Sequence, residues 1–171
     1  MTAFHPARTS AYTSKFGTPV QKAALAVGAV FLAVGVLGFV PGITTNYDQL
    51  TFAGHHFDAA LLGIFDVSVS HNLVQLAFGV AGIALARTFN SARSYLIGGG
   101  IVYVVLVIYG LVIDHDSSAN FIPVNDADNW LHLGLAVAMI ALGAARWAAG
   151  TMTPANPWAP VAGHRTAHQT A

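Results

Sequence analysis

The chain of 171 residues is strongly apolar: 55% of its residues are hydrophobic, only 8% are charged, and its mean hydropathy is +0.61. Soluble domains carry about 25% charged residues, so this composition indicates a single membrane-embedded domain. The formal net charge is zero, which argues against nucleic-acid binding. Cysteine is absent, which excludes disulfides, thiolate metal sites and thiol catalysis.

The order of charges along the chain predicts a membrane topology. Basic residues precede the first of four apolar runs, separate the second from the third, and follow the fourth, whereas acidic residues occupy the other two loops. Short loops rich in Lys and Arg stay cytoplasmic, so we expect a multi-pass protein of the cytoplasmic membrane with both termini inside. The basic residues are Arg8, Lys15, Lys22, Arg87, Arg93, Arg146 and Arg165, and the acidic ones are Asp48, Asp58, Asp66, Asp114, Asp116, Asp126 and Asp128.

The N-terminal third of the chain contains a polar segment, one apolar run and a long loop. We expect residues 1–21 to be a disordered cytoplasmic segment. The first run covers 22–40 and stops at Pro41–Gly42. The loop 43–66 is long enough to hold a short hairpin or an interfacial segment.

The rest of the chain contains three more runs, at 69–87, 94–113 and 129–149. About 20 helical residues cross the hydrocarbon core, so each run predicts one transmembrane helix. Residues 22–150 are therefore expected to form an all-α, integral membrane four-helix bundle. The tail 151–171, with three prolines and much Ala and Thr, is expected to be disordered and cytoplasmic.

An internal repeat favours two helical hairpins of the same orientation, that is, a parallel repeat. Residues 67–76 read VSVSHNLVQL and residues 124–133 read VNDADNWLHL, with Val, Asn and Leu at equal spacing. In both segments an N-cap residue, Ser68 or Asn125, precedes the helix, which by itself accounts for part of the match. The first and third runs match more faintly, through Gly28, Phe31 and Gly38 against Gly100, Tyr103 and Gly110.

Polar residues inside the runs cluster at one membrane depth. His71 and Gln75 lie one turn apart in the second run, and Asp128 and His132 lie one turn apart in the fourth. Such residues are costly in a membrane and often functional, so these four are the candidate ligand-binding residues. Asn72, Asn129, Asp114 and His115 lie near the same depth.

Three interpretations of the cluster stay open. The simplest is helix capping with interhelical hydrogen bonds and no ligand. The second is a divalent metal or haem site that uses His71 and His132 as ligands. The third is a pocket for a quinone, a lipid or a small solute. Two further histidine pairs, His55 with His56 and His164 with His168, are more simply explained as incidental surface residues.

Small and aromatic residues predict how the helices pack. Glycines let helix backbones approach closely, and we expect this role for Gly28, Gly35, Gly38, Gly79, Gly82, Gly98, Gly99, Gly100, Gly134 and Gly143. We expect Tyr103 and Tyr109 in the core, with a hydroxyl supplied to the polar cluster as the alternative. Trp130 and Trp147 are placed as interfacial anchors.

Several segments resemble a bacterial membrane family common in actinobacteria, the domain of unknown function 4383. They are residues 70–76 (SHNLVQL), 93–95 (RSY), 98–100 (GGG) with Tyr103, and 120–134 (NFIPVNDADNWLHLG). The resemblance covers about residues 20–150 and implies a four-helix inner-membrane protein, without an activity. Members often have His where Gln75 stands here, which weakens a paired-histidine ligand site in the second run.

The sequence contains no recognised catalytic signature, so we expect a protein that is not an enzyme. We predict a binding, assembly or structural component of the cytoplasmic membrane. It would contact the lipid bilayer and either a membrane-protein partner or a second copy of itself. The alternative is a haem- or quinone-linked redox protein that uses His71 and His132.

Overall fold

The computed structural model describes residues 17–53, 59–114, 117, 122 and 124–145. Predictions that concern residues 1–16 and 146–171, His55, His56 and His115 lie outside this part of the chain. Four helices form the bundle: α1 is Pro19–Leu37, α2 is Val69–Leu85, α3 is Phe89–Val112 and α4 is Asp126–Ala144. The predicted all-α four-helix bundle is confirmed.

Three of the helices, α1, α3 and α4, are long and apolar enough to cross a membrane, while α2 is apolar but has only 17 residues. Many large apolar side chains lie on the outside of the bundle, among them Leu111, Val112 and Val137. A surface of this kind is normal against lipid and unusual against water. The protein is therefore a membrane protein whose helices contact the bilayer.

Each helix begins at a side-chain cap. Thr18 and Gln21 form a capping box at the start of α1, Ser68 caps α2, and Asn125 forms a second capping box with Asp128 at the start of α4. The two predicted caps, Ser68 and Asn125, are thus confirmed. Helix α1 begins three residues before its apolar run, because the cap and Pro19 extend it into polar sequence.

The loop between α1 and α2 contains a small sheet, as its length allows. Strands β1 (Thr44–Thr45), β2 (Ala60–Leu61) and β3 (Phe65–Asp66) pair antiparallel in that order. The turn between β2 and β3 places Leu62 and Gly63 at positive φ, 57° and 70°. We call this end of the bundle the sheet end, and the opposite end, where Lys22, Arg87 and Arg93 lie, the basic end.

Contacts between helices are densest within each sequential pair, so α1–α2 is the first hairpin and α3–α4 is the second. A Cβ on Gly28 would lie 2.9 Å from the carbonyl oxygen of Gly79 and 2.9 Å from the backbone nitrogen of Ile83. The backbones of α1 and α2 can therefore approach each other this closely only because residue 28 is a glycine and has no side chain.

The repeat noted in the sequence is present in the packing. The second hairpin has the same contact, since a Cβ on Gly100 would lie 3.1 Å from the oxygen of Ala136 and 3.1 Å from the nitrogen of Ile140. The basic end repeats as well: Gln21 Nε2 donates to the Ala86 carbonyl at 3.1 Å, and Arg93 Nε donates to the Gly143 carbonyl at 3.1 Å. All these pairs follow the sequence alignment of the two halves.

The expectation for two glycines was wrong. Among the described residues, no atom of a neighbouring helix or loop lies within 4 Å of a Cβ placed on Gly98 or Gly134. The remaining eight predicted glycines all meet a neighbouring side chain or backbone at less than 3.0 Å. Glycine content alone cannot show which face of a helix turns towards a neighbour.

Aromatic rings join the two hairpins at the centre of the bundle. Phe31 and Tyr103, which are equivalent residues in the repeat, stack with centroids 5.8 Å apart and planes 9° apart. Phe78 packs against both rings, and its carbonyl accepts a hydrogen bond from the Tyr95 hydroxyl at 3.1 Å. Contact between equivalent residues is what a pseudo-two-fold axis through the bundle would produce.

Candidate functional site

A partly enclosed cavity of about 190 Å³ lies at the sheet end, between the sheet and the four helices. All four residues singled out from the sequence line it: His71 and Gln75 from α2, and Asp128 and His132 from α4. The structure therefore brings the candidate cluster together in space, although its members come from different hairpins.

The rest of the wall is mostly apolar. Helix α1 supplies Val30, Phe31 and Val34, and α4 adds Leu131 and Leu135. Tyr103 closes the wall from α3 and belongs to the core cluster, as expected, whereas a hydrogen bond from its hydroxyl to the polar cluster stays a prediction. The sheet and the residue after it cover the cavity with Leu61, Leu62, Phe65, Asp66 and Val67.

The local fold of the α4 start fixes the position of Asp128. Its Oδ2 accepts the backbone N–H of Asn125 at 3.1 Å, which completes the capping box, and the backbone N–H of Asp66 at 3.1 Å. Asn125 in turn donates from Nδ2 to the Ile64 carbonyl at 3.0 Å. One short segment thus caps the helix and holds the sheet over the cavity, which explains why Asp128 is only 2% exposed.

The two histidines line the cavity from α2 and α4, which belong to different hairpins. The ring centroids of His71 and His132 are 6.4 Å apart and their planes differ by 18°. The ring of Tyr103 lies 5.3 Å from that of His132.

Two polar atoms at this site have no hydrogen-bond partner among the described residues. They are Nδ1 of His132 and Oε1 of Gln75, both fully buried. His132 as a whole is only 3% exposed. Buried polar groups in native proteins are nearly always paired, so these two atoms are available to hydrogen-bond a water molecule or a ligand.

A second, wider cavity of about 420 Å³ adjoins the first and shares His71, Gln75, Tyr103 and His132 with it. Its wall includes Val74 and Val102, which are 56% and 44% exposed, so it opens on the outside of the bundle. The four shared side chains therefore stand between the first cavity and a wider groove that faces lipid.

The metal interpretation gains little from this geometry. Within the described part of the chain, no three His or Asp side chains lie close enough together to hold one ion. His71 and His132 alone would supply two ligands, fewer than the four of a structural zinc site. Their role as metal or haem ligands stays a prediction.

Sequence reasoning missed two parts of the site. Asp66 was placed only in the outer loop, and nothing in its spacing shows that its backbone reaches Asp128. The apolar cover from the β2–β3 hairpin was also missed, because a loop of this composition does not reveal which side chains turn inwards. Phe31 was noticed only as a repeat position.

Comparison with known proteins places the chain in a family without assigning an activity. No curated protein and no solved structure matches it. The model of one family, described as domain of unknown function 4383, matches residues 21–145. This range includes α2, α3, α4, all of α1 except its first two residues, and every described residue of the cavity wall. The chain belongs to this family.

Proposed function

We propose that the protein is a non-enzymatic membrane protein that binds a small molecule in the partly enclosed cavity at the sheet end. The observation that carries the proposal is a cavity of about 190 Å³ with apolar walls and a buried His132 whose Nδ1 has no partner among the described residues. Ligand sites are usually concave, mostly apolar and equipped with a few convergent polar groups.

The adjoining groove supports this function. Because it opens on the exposed surface of α2 and α3, a molecule dissolved in the bilayer would reach the four shared side chains without crossing water. We further propose that the sheet end faces outwards and that both termini are cytoplasmic, in the cytoplasmic membrane. The distribution of Lys and Arg supports this orientation.

The test compares a cavity-filling variant with a matched control on the same helix. Val34 lines the cavity, whereas Val36 is 54% exposed and does not. We expect benzyl alcohol to bind the parent and the Val36→Phe variant equally and to lose most of its binding to Val34→Phe, because the larger ring occupies the space. Isothermal titration in a maltoside detergent measures this, and partition into micelles is the same for all three proteins.

Equal heats for the three proteins would contradict the proposal, since binding would then not take place in the cavity. Loss of binding in Val36→Phe as well would point to a general packing defect of α1. A circular-dichroism melt of each variant shows whether it is folded.

One observation favours a second candidate function, the haem- or quinone-linked redox protein. It is the approach of His71 and His132 to 6.4 Å between ring centroids, from different hairpins. A Soret band or a quinone that copurifies with the protein would support it. A membrane-protein partner or a homo-oligomer also stays a prediction.

A further inference from the structure

The charge around the cavity is one-sided. No Lys or Arg occurs in residues 23–86 or 94–145, and these two stretches supply every described residue of the cavity wall. The wall nevertheless includes two carboxylates, Asp66 and Asp128. A carboxylate that is 2% exposed in an apolar environment needs a compensating charge or several hydrogen bonds.

The free polar atoms of the wall add acceptors. Both hydrogen bonds that Asp128 accepts within the described residues go to one oxygen, Oδ2. Gln75 Oε1 is an acceptor, and His132 Nδ1 is one in the tautomer that carries its proton on Nε2. A ligand that donates several hydrogen bonds would match this set, whereas a quinone, which offers only acceptor oxygens, would match it poorly.

Aromatic rings line the same space. Phe31 and Tyr103 stack against each other, Phe65 lies in the covering sheet, and the ring of Tyr103 is 5.3 Å from that of His132. Ring faces attract cations, more strongly where water is excluded. Hydrogen-bond acceptors, a buried carboxylate and aromatic rings together suit a ligand that carries a positive charge and donates hydrogen bonds.

The volume limits the size of the ligand. An engineered apolar cavity of about 150 Å³ in another protein holds one benzene molecule. A cavity of about 190 Å³ therefore has room for a body of roughly that size with one small polar group attached.

We propose that the cavity at the sheet end binds an organic ammonium ion, with the ammonium group towards Asp128, Gln75 and His132 and the apolar body against Phe31 and Tyr103. The ammonium group belongs either to a small free amine or to the ethanolamine headgroup of a lipid. This inference rests on the proposed function, because it names the ligand class of the same cavity.

The experiment uses three probes of nearly equal shape: benzylammonium, benzyl alcohol and benzoate. Titrated into the full-length protein in maltoside detergent, benzylammonium should bind at least about tenfold more tightly than benzyl alcohol, and benzoate should not bind. Benzyl alcohol bound as tightly as benzylammonium, or benzoate bound best, would overturn the ammonium proposal but leave the cavity as a binding site. No binding of any probe would overturn both proposals.

Two variants test whether the ammonium group contacts Asp128. Asp128→Asn keeps the shape of the side chain and should reduce benzylammonium affinity to that of benzyl alcohol. Asp126→Asn is the matched control, because Asp126 lies in the same first helical turn but is exposed and absent from the wall. If both variants bind like the parent, the ammonium group does not contact Asp128 and the proposal is wrong.

A second variant covers the case in which Asp128→Asn loses the helix cap and unfolds. Gln75→Met removes an acceptor without touching a cap, and should weaken benzylammonium several-fold while leaving benzyl alcohol unchanged. Unchanged benzylammonium binding to a folded Gln75→Met protein would count against the proposal.

The source of the ammonium group is decided by competition. If phosphatidylethanolamine added to the micelles displaces benzylammonium and phosphatidylglycerol does not, the natural ligand is the lipid headgroup. If neither lipid competes, the ligand is a free amine.

Discussion

The two hairpins are alike at the basic end and different at the sheet end. At the basic end, equivalent residues make equivalent contacts, as Gln21 with Ala86 and Arg93 with Gly143 show. At the sheet end, His71 and Gln75 of the first hairpin stand where the second has Asp128 and His132. The basic end, where the two hairpins are alike, therefore maintains the bundle, and the sheet end, where they differ, supplies the chemistry of the cavity.

The asparagines show how a repeated residue has acquired different surroundings. Asn129 Nδ2 donates to the Gly110 carbonyl at 3.1 Å. The equivalent Asn72 packs against Gly38, but its amide has no partner among the described residues, and the Gly38 carbonyl accepts the Thr44 hydroxyl at 3.1 Å instead. The sheet inserted in the first hairpin has therefore taken over the acceptor that the repeat would assign to Asn72.

The largest expected effect concerns membrane topology, that is, which loops lie on which side of the membrane. Two equivalent hairpins must enter the membrane from the same side. The chain lacks Cys, and both Asp48 and Asn90 are exposed. We expect Asp48→Cys to react with a membrane-impermeant maleimide in whole cells, and Asn90→Cys to react only after permeabilisation. Labelling of Asn90→Cys in intact cells would overturn the proposed topology.

The next largest effect is expected on stability, and it tests whether the helices of each hairpin depend on their close approach. Gly28→Ala and Gly100→Ala each place a methyl group against backbone atoms about 3 Å away. Overpacking of this kind costs roughly 1–3 kcal/mol, and we expect both variants to lose stability in detergent unfolding.

Two other glycines serve as controls for this test. Gly98→Ala and Gly134→Ala meet no neighbour within 4 Å, so they should be neutral or more stable by up to about 1 kcal/mol. If Gly28→Ala and Gly100→Ala unfold like these controls, the two hairpins do not depend on glycine contacts.

The smallest effect compares the two asparagines. Asn129→Ala removes a buried hydrogen bond, whereas Asn72→Ala removes an amide without one, so Asn129→Ala should be the more destabilising by about 1 kcal/mol. The volume lost is the same in both, which cancels the cavity contribution. Chemical denaturation in detergent measures the difference, and equal losses would show that Asn72 is hydrogen-bonded in the membrane.

Much of the fold was predictable because its determinants are local. The lengths of the apolar runs predicted the four helices, and the capping side chains of Ser68 and Asn125 predicted where two of them begin. The starts of α1 and α3 were placed too late, because Pro19 and Phe89 follow polar caps and lie ahead of the apolar runs.

The candidate site was predictable only in part. Helical spacing placed His71 with Gln75 and Asp128 with His132, and the repeat suggested that the two pairs meet. The cover formed by Phe65 and Asp66 depends on strand pairing across a loop and on one backbone hydrogen bond to α4. Contacts between residues that are far apart in the chain leave no periodic signal in the sequence.

The cavity lies between the hairpins and within neither, which has a consequence for assembly. In a membrane, helices that have already formed associate through packing and hydrogen bonds, and the same forces would dock the two hairpins. A molecule held in the cavity would bind the docked pair alone, so by mass action it would favour association by RT ln(1 + [L]/Kd) without affecting either hairpin by itself. In a cell, its concentration would then set the fraction of newly inserted chains that complete the last step of folding.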